Sequence, residues 1–246
     1  MRAARFLPCA ALALSACVML PGMAQAEGLQ VAPVAVTIPA RSSVVFVSNQ
    51  GASPLRAQVR VFRWSQQDGE DMLAETTELV ASPPFVTVAS GSQQVVRLVR
   101  LGEPDAGVPC EQTYRIIVDE LPAGEQPPSD GLRYVMRFSI PVYLTNPACG
   151  EITPALGWWI EQAADGPALV VQNTGQQHAQ LADLAMVDLR GNRREVAAGL
   201  VGYVLPGQTR HFSLSSVPAA AAGGTLEVSV NGIKVIASVA LAQTGQ

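Results

Sequence analysis

The sequence predicts an all-β chain folded as two packed β-sandwich domains, and three observations carry that prediction. Runs rich in β-branched and aromatic residues recur roughly every 8–12 residues, the spacing of sandwich strands. No stretch sustains a helical apolar period, so helix is expected only in short pieces. Near the middle of the 246 residues, Thr145-Asn146-Pro147-Ala148-Cys149-Gly150 ends a strand with Pro and Gly and marks a domain boundary.

In the first half the strand-like runs fall at residues 29–38, 43–48, 55–64, 73–80, 93–101, 114–121 and 132–144. Seven short strands punctuated by Gly, Pro and Asn describe an immunoglobulin-like Greek-key sandwich. The second set falls at 157–161, 168–173, 179–188, 201–203, 209–213, 225–230 and 233–241, with Asn231-Gly232 as a type I′ hairpin turn. Residues 219–224, four Ala and two Gly, are a loop or short turn without chemistry. The expected domains are 27–146 and 147–246, each large enough to own a core.

Residues 1–26 read as a cleavable export signal. Met1-Arg2-Ala3-Ala4-Arg5 is basic, Phe6 to Leu20 is nearly all apolar, and Ala24-Gln25-Ala26 is a small-residue cleavage site. Leu14-Ser15-Ala16-Cys17 also has the form of a lipobox, which would tether the chain through Cys17, but Val18-Met19-Leu20 continues the apolar core. Cleavage removes Arg2 and Arg5 and no acid, taking the net charge from −4 to −6, so nucleic acid is not an expected partner. No second apolar run is long enough for an integral membrane segment.

Cleavage leaves two cysteines, Cys110 and Cys149, which pair in an oxidising compartment. They bracket the runs 114–121 and 132–144. Opposed residues of an antiparallel hairpin have positions with a constant sum; 259, from the two cysteines, centres the turn between Ser129 and Asp130. That point lies within Gln126-Pro127-Pro128-Ser129-Asp130-Gly131, a turn on composition alone. Closing such a loop contributes about 3–4 kcal/mol through the unfolded state. The second run alternates, with Leu132, Tyr134, Met136, Phe138 and Ile140 on one face. An alternating strand is ordinarily the half-buried wall of its own sandwich.

An enzyme is not expected. His178 and His211 lie in different strands of the second half and read as surface or edge residues, with no nucleophile motif beside them. Zinc-ligand spacing and a phosphate-binding glycine loop are both missing, so neither metal nor cofactor is predicted. Adjacent Trp158 and Trp159 would point to opposite faces of a strand, one into the core.

Val31-Ala32-Pro33, Val47-Ser48-Asn49, Ser82-Pro83-Pro84-Phe85, Ser92-Gln93-Gln94-Val95-Val96-Arg97-Leu98, Tyr114-Arg115 and Glu120-Leu121-Pro122 form an ordered series of landmarks. Together with Asn173-Thr174-Gly175 and Gly202-Tyr203-Val204-Leu205-Pro206-Gly207 they resemble the PapD-like periplasmic pilus-assembly chaperones of the chaperone–usher pathway, in a divergent branch. The resemblance implies two sandwiches set at an angle across a cleft. It implies a periplasmic chaperone that binds pilus or fimbrial subunits by donor-strand complementation and delivers them to an outer-membrane usher. Leu132, Tyr134, Met136, Phe138 and Ile140 then become the subunit-binding strand, with main-chain bonds supplying affinity and alternate side chains filling the subunit's groove.

The chain departs from the family at the anchor for the subunit's terminal carboxylate. Ala35 and Pro141 stand where an arginine and a lysine are expected, and the sole lysine is Lys234. An arginine must therefore serve. Arg115, which the cysteine sum sets opposite Leu144, is the first candidate, followed by Arg97 and Arg100. Glu111 matches an acid used in an interdomain salt bridge, without an evident partner. The alternative function is that of a two-domain immunoglobulin-like adhesion or tethered lipoprotein module.

Overall fold

The computed structural model describes residues 28–39, 41–102, 107–122, 134–163, 166–214 and 224–241. The leader with Cys17, Leu132, and the expected turn at 126–131 lie outside the described residues.

The first sandwich packs two sheets. One has the order β1 (Leu29–Ala32), β3 (Ser42–Asn49), β8 (Gln93–Arg100), β6 (Leu79–Ser82). The other runs β2 (Val36–Ile38), β10 (Arg137–Thr145), β9 (Glu111–Leu121), β4 (Leu55–Gln67), β5 (Glu70–Glu75), with β7 (Phe85–Val88) also on β4. Alternate residues of both sheets, among them Ile38, Val45, Val47, Leu98, Ile116, Val118 and Val142, fill the core and are shut off from solvent.

Two predicted strands are in fact pairs of strands in different sheets. The run 29–38 breaks at Pro33, after which the chain leaves β3 and joins β10 in parallel as β2. A proline cannot donate to the ladder, so the chain changes sheet there. The run 73–80 likewise divides into β5 and β6, and β7 follows as a separate strand.

A single 3-10 turn, Pro147–Cys149, leads toward the second sandwich. Its sheets are β15 (Thr209–Ser213), β12 (Gly166–Asn173), β11 (Leu156–Ala163), β18 (Ala240–Leu241), and β14 (Arg193–Val204), β13 (Ala179–Val187), β16 (Thr225–Val230), β17 (Ile233–Ser238). Strand β14 is much longer than the predicted 201–203. The run 233–241 divides into β17 and β18, one in each sheet. Asn231 and Gly232 both have positive φ, 49° and 81°, as a type I′ turn demands.

The two domains repeat one device. Asn49 and Asn173 are buried at 1% and 0% exposure, and each side-chain oxygen accepts the N–H of the glycine two residues on, Gly51 at 2.9 Å and Gly175 at 3.0 Å. Each amide donates to two carbonyls, so a buried polar group at the end of an inner strand is satisfied. At Gly175 a Cβ would lie 2.4 Å from the Ala155 nitrogen, so only glycine fits.

Candidate functional site: a free strand edge and the interdomain junction

The hairpin exists, in a different register from the one the cysteines implied. Strands β9 and β10 pair from Arg137 with Asp119 to Thr145 with Glu111, so paired positions sum to 256 and Arg115 faces Pro141, not Leu144. The Asn146 N–H still bonds the Cys110 carbonyl at 2.8 Å, which makes Asn146 the ladder partner of Cys110. Cys149 returns to Cys110 through the 3-10 turn, which Asn146 caps by accepting the Ala148 N–H at 3.1 Å. The Cys110–Cys149 disulfide spans 5.7 Å between Cα atoms and ties the start of the interdomain connection to β9. It joins the last ladder position, Cys110, to a residue three positions past its ladder partner Asn146, so the two cysteines do not face each other across the hairpin. The difference is an odd number of positions, so it moves side chains to the opposite face.

The predicted apolar face changes character along its length. Tyr134 (74%) and Met136 (41%) are exposed, Phe138 is half-buried against the first core, and Ile140 is within that core at 3%. Ile140 is therefore corrected to a core residue of its own domain. The assigned strand starts at Arg137, and before it a single main-chain bond, from the Glu120 N–H to the Met136 carbonyl, continues the pairing with β9.

The backbone parity of β10 identifies its free edge. Met136 accepts the Glu120 N–H and Asn146 donates to Cys110, so even positions turn their main-chain groups toward β9 and odd positions turn them outward. On the outer side β2 pairs only with Val142–Leu144. Among the described residues, the outward groups at Arg137 and Ser139 meet no strand, and the open stretch ends where the Val142–Val36 bridge turns the Val36 N–H to the Pro141 carbonyl. Pro141 is tolerated because its missing N–H would point to this open side. The strand is secured by Asp119, which accepts from Arg137 on β10 and, at 2.7 Å, from Arg60 on β4. Burial alone would raise the Asp119 pKa, but hydrogen bonds from Arg137 and then Arg60 outweigh it and hold the carboxyl below its usual value.

At the other end of the hairpin the domains meet. Trp64 and Tyr143 of the first domain pack with Tyr203 and Leu205 of the second, with Trp64 and Tyr203 edge to face at 5.3 Å. Gln66, 5% exposed, acts like a strand residue: its amide donates to the Tyr203 carbonyl at 3.0 Å and its oxygen accepts the Leu205 N–H at 3.0 Å. The ring of His178 stacks on Tyr143 at 3.5 Å, correcting its expected surface position; His211 is exposed, 3.6 Å from Glu161. Glu111 now has its partner. Its carboxylate accepts the His178 N–H and contacts Nδ1, both at 2.8 Å.

Of the candidate anchors, only Arg115 faces this junction. Its guanidinium lies 3.9 Å over the Trp64 ring and 5.1 Å from the Tyr203 ring, with Asp71 Oδ2 at 3.9 Å. Arg100 is buried and donates to Gln112 at 3.3 Å, and Arg97 is exposed on β8. Ala35 is exposed in the link between β1 and β2. Sequence reasoning missed Gln66, Asp71 and Arg210, whose Nη1 lies 3.2 Å from Asp71. They belong to no motif; Gln66 and Asp71 are partners on the β4–β5 pair, and Arg210 reaches them only across the domain boundary. Trp158 packs on the second core, whereas Trp159 donates to Glu161 at 2.7 Å.

Two sandwiches joined at an aromatic junction, with a strand of the first open along part of one edge, have the two-domain fold of the PapD-like chaperones. Residues 28–148 match the family described as pili and flagellar-assembly chaperone, PapD N-terminal domain. The fold is shared over 87% of this chain and 99% of the other with a chain in the chaperone–tip adhesion subunit complex CsuC–CsuE of archaic Csu pili from Acinetobacter baumannii (24% identity, TM-score 0.66). It is shared with the YadV chaperone over 85% and 98% (16%, 0.63), and with a chain in the Salmonella enterica SafA pilin–SafB chaperone complex over 87% and 94% (16%, 0.61). None of the curated protein sequences matches the chain.

Proposed function

We propose that the protein is a periplasmic chaperone that holds pilus subunits by lending them the free edge of β10, and passes them to an outer-membrane usher. The observation that carries this reading is the open edge at Arg137–Ser139 continued by exposed Tyr134 and Met136. An unpaired strand beside exposed apolar side chains is a template for strand addition. The family match and the subunit complexes of CsuC and SafB support it. An export signal over residues 1–26 and domains divided near residue 146 belong to the same reading.

In this reading Leu132, Tyr134 and Met136 enter the subunit's groove, Phe138 borders it, and Ile140 supports the strand from beneath. Arg115 lies opposite Pro141, where the free edge ends, and is the anchor for the subunit's terminal carboxylate. The test is co-expression of a donor-strand-dependent subunit from the neighbouring genes with the Tyr134→Glu, Met136→Glu double variant. Recovery of soluble subunit should collapse while the variant stays folded. Undiminished recovery would sink the assignment.

A further inference from the structure

Asp71 is held from outside the first sandwich. It sits on β5, an edge strand exposed at every position, and its side chain is 42% exposed. Yet three groups from both domains converge on its carboxylate. Oδ1 accepts from Gln66 Nε2 at 2.9 Å and from Arg210 Nη1 at 3.2 Å, and Oδ2 lies 3.9 Å from Arg115 Nη2.

The arrangement leaves donors in excess. At 3.9 Å the Arg115 contact is an ion pair too long for a hydrogen bond. Among the described residues the Arg115 guanidinium makes no hydrogen bond, although the side chain is only 13% exposed. Arg210 Nε, Trp64 Nε1 and the Tyr143 hydroxyl are buried in the same junction without partners. Arginine and tryptophan nitrogens can only donate, so what completes such a surface is an acceptor. Two guanidinium groups against one carboxylate also leave net positive charge, which selects an anion, and a planar carboxylate suits the guanidinium fork.

We propose that Asp71 is an intrachain occupant of a carboxylate-binding site built by Arg115 of the first domain and Arg210 of the second, and that a docking partner's carboxylate displaces it. The natural source rests on the function proposed above: a chain paired along the free edge of β10 reaches Pro141, directly across from Arg115. The site itself does not depend on that reading. Exchange of one carboxylate for another keeps a carboxylate beside both guanidiniums in the free protein and in the complex. Because β5 pairs only with β4, Asp71 can withdraw without opening the core.

Acetate is the probe, with acetamide as its neutral counterpart. It is titrated at constant ionic strength into the full mature chain, and the Trp64 indole N–H resonance is followed, assigned with Trp64→Phe. Asp71→Asn removes the competing charge and keeps an acceptor for Gln66 and Arg210. It should saturate at an acetate concentration about fivefold lower than wild type, the scale of a partly exposed ion pair. Glu70→Gln, the same charge change on the opposite face of β5, should leave the wild-type response. Arg210→Gln in the Asp71→Asn background should abolish the gain, and acetamide should produce no shift. Equal acetate response in Asp71→Asn and wild type overturns the proposal, as does an equal gain in Glu70→Gln. Undiminished subunit recovery in the Tyr134→Glu, Met136→Glu variant, with the acetate responses as expected, would fault the donor-strand reading alone.

Discussion

Glu111 and His178, 67 positions apart, form a closed two-point contact between the domains, with the carboxylate taking both the backbone N–H and Nδ1 of the histidine. The Glu111 side chain is 1% exposed, so nothing but His178 and its surroundings compensates it. Cys110, the preceding residue, is fixed by its disulfide to the interdomain connection. The contact and the covalent tie therefore act on the same hinge.

Replacing Glu111 by Ala should cost about 2–4 kcal/mol, because a buried N–H and a ring nitrogen lose their partner together. Gln, which keeps an acceptor, should cost less. Urea unfolding of both variants checks the order; equal and negligible losses would remove this contact from the interdomain account.

Gln66→Leu is expected to loosen the domains with little effect on the first core. It strands the Tyr203 carbonyl and the Leu205 N–H, at about 1–3 kcal/mol each. Hydrogen exchange should rise around residues 203–205 and stay unchanged in β3 and β8. Unchanged exchange at 203–205 contradicts the bridging role.

Asp119 makes the base of the free strand acid-sensitive. Its folded pKa lies below the unfolded value, so its contribution is full above the unfolded pKa, about 4, and is lost as pH falls through the folded one. Wild type should lose stability faster than Asp119→Asn as pH drops below about 4. Parallel acid limbs in the two proteins would rule the pair out as a contributor.

Positions on one face of β10 should separate by function. Ile140→Ala should destabilise the free chain by about 2–5 kcal/mol through a core cavity. Tyr134→Ser should stay within about 0.5 kcal/mol of wild type and still weaken subunit holding. Denaturation midpoints and subunit recovery, measured side by side, distinguish them.

The double variant Cys110→Ser, Cys149→Ser should lose about 3–4 kcal/mol and keep the β9–β10 pairing, because the ladder ends at Asn146 before the disulfide. Amide protection in Ile116–Val118 under reducing conditions reports on this. Collapse of that protection with the rest of the chain folded would restore the disulfide as the register device.

The sandwich class and the hairpin were legible because alternation and Pro or Gly punctuation are local signals. Register was not: two cysteines near a hairpin's open end admit several, and a three-residue turn absorbed the difference. Alternation placed Ile140 and Tyr134 on the same face, but it could not say that the opposing sheet lies beneath one and stops short of the other. Arg115 could be nominated from its charge. Asp71 and Arg210, its associates, could not, since Asp71 is brought near it by the sheet order and Arg210 by how two domains dock.

The sequence by itself determined that this chain is two β-sandwiches and that Cys110 and Cys149 pair at the open end of a hairpin. Period-two hydrophobicity, turn residues and thiol number act over short stretches of chain and survive without a partner. Tertiary structure decided the register, the length of strand left open, and the charge constellation in the cleft. These depend on which backbone groups another strand has already taken and on side chains brought within bonding distance across a domain junction, quantities that no single segment contains.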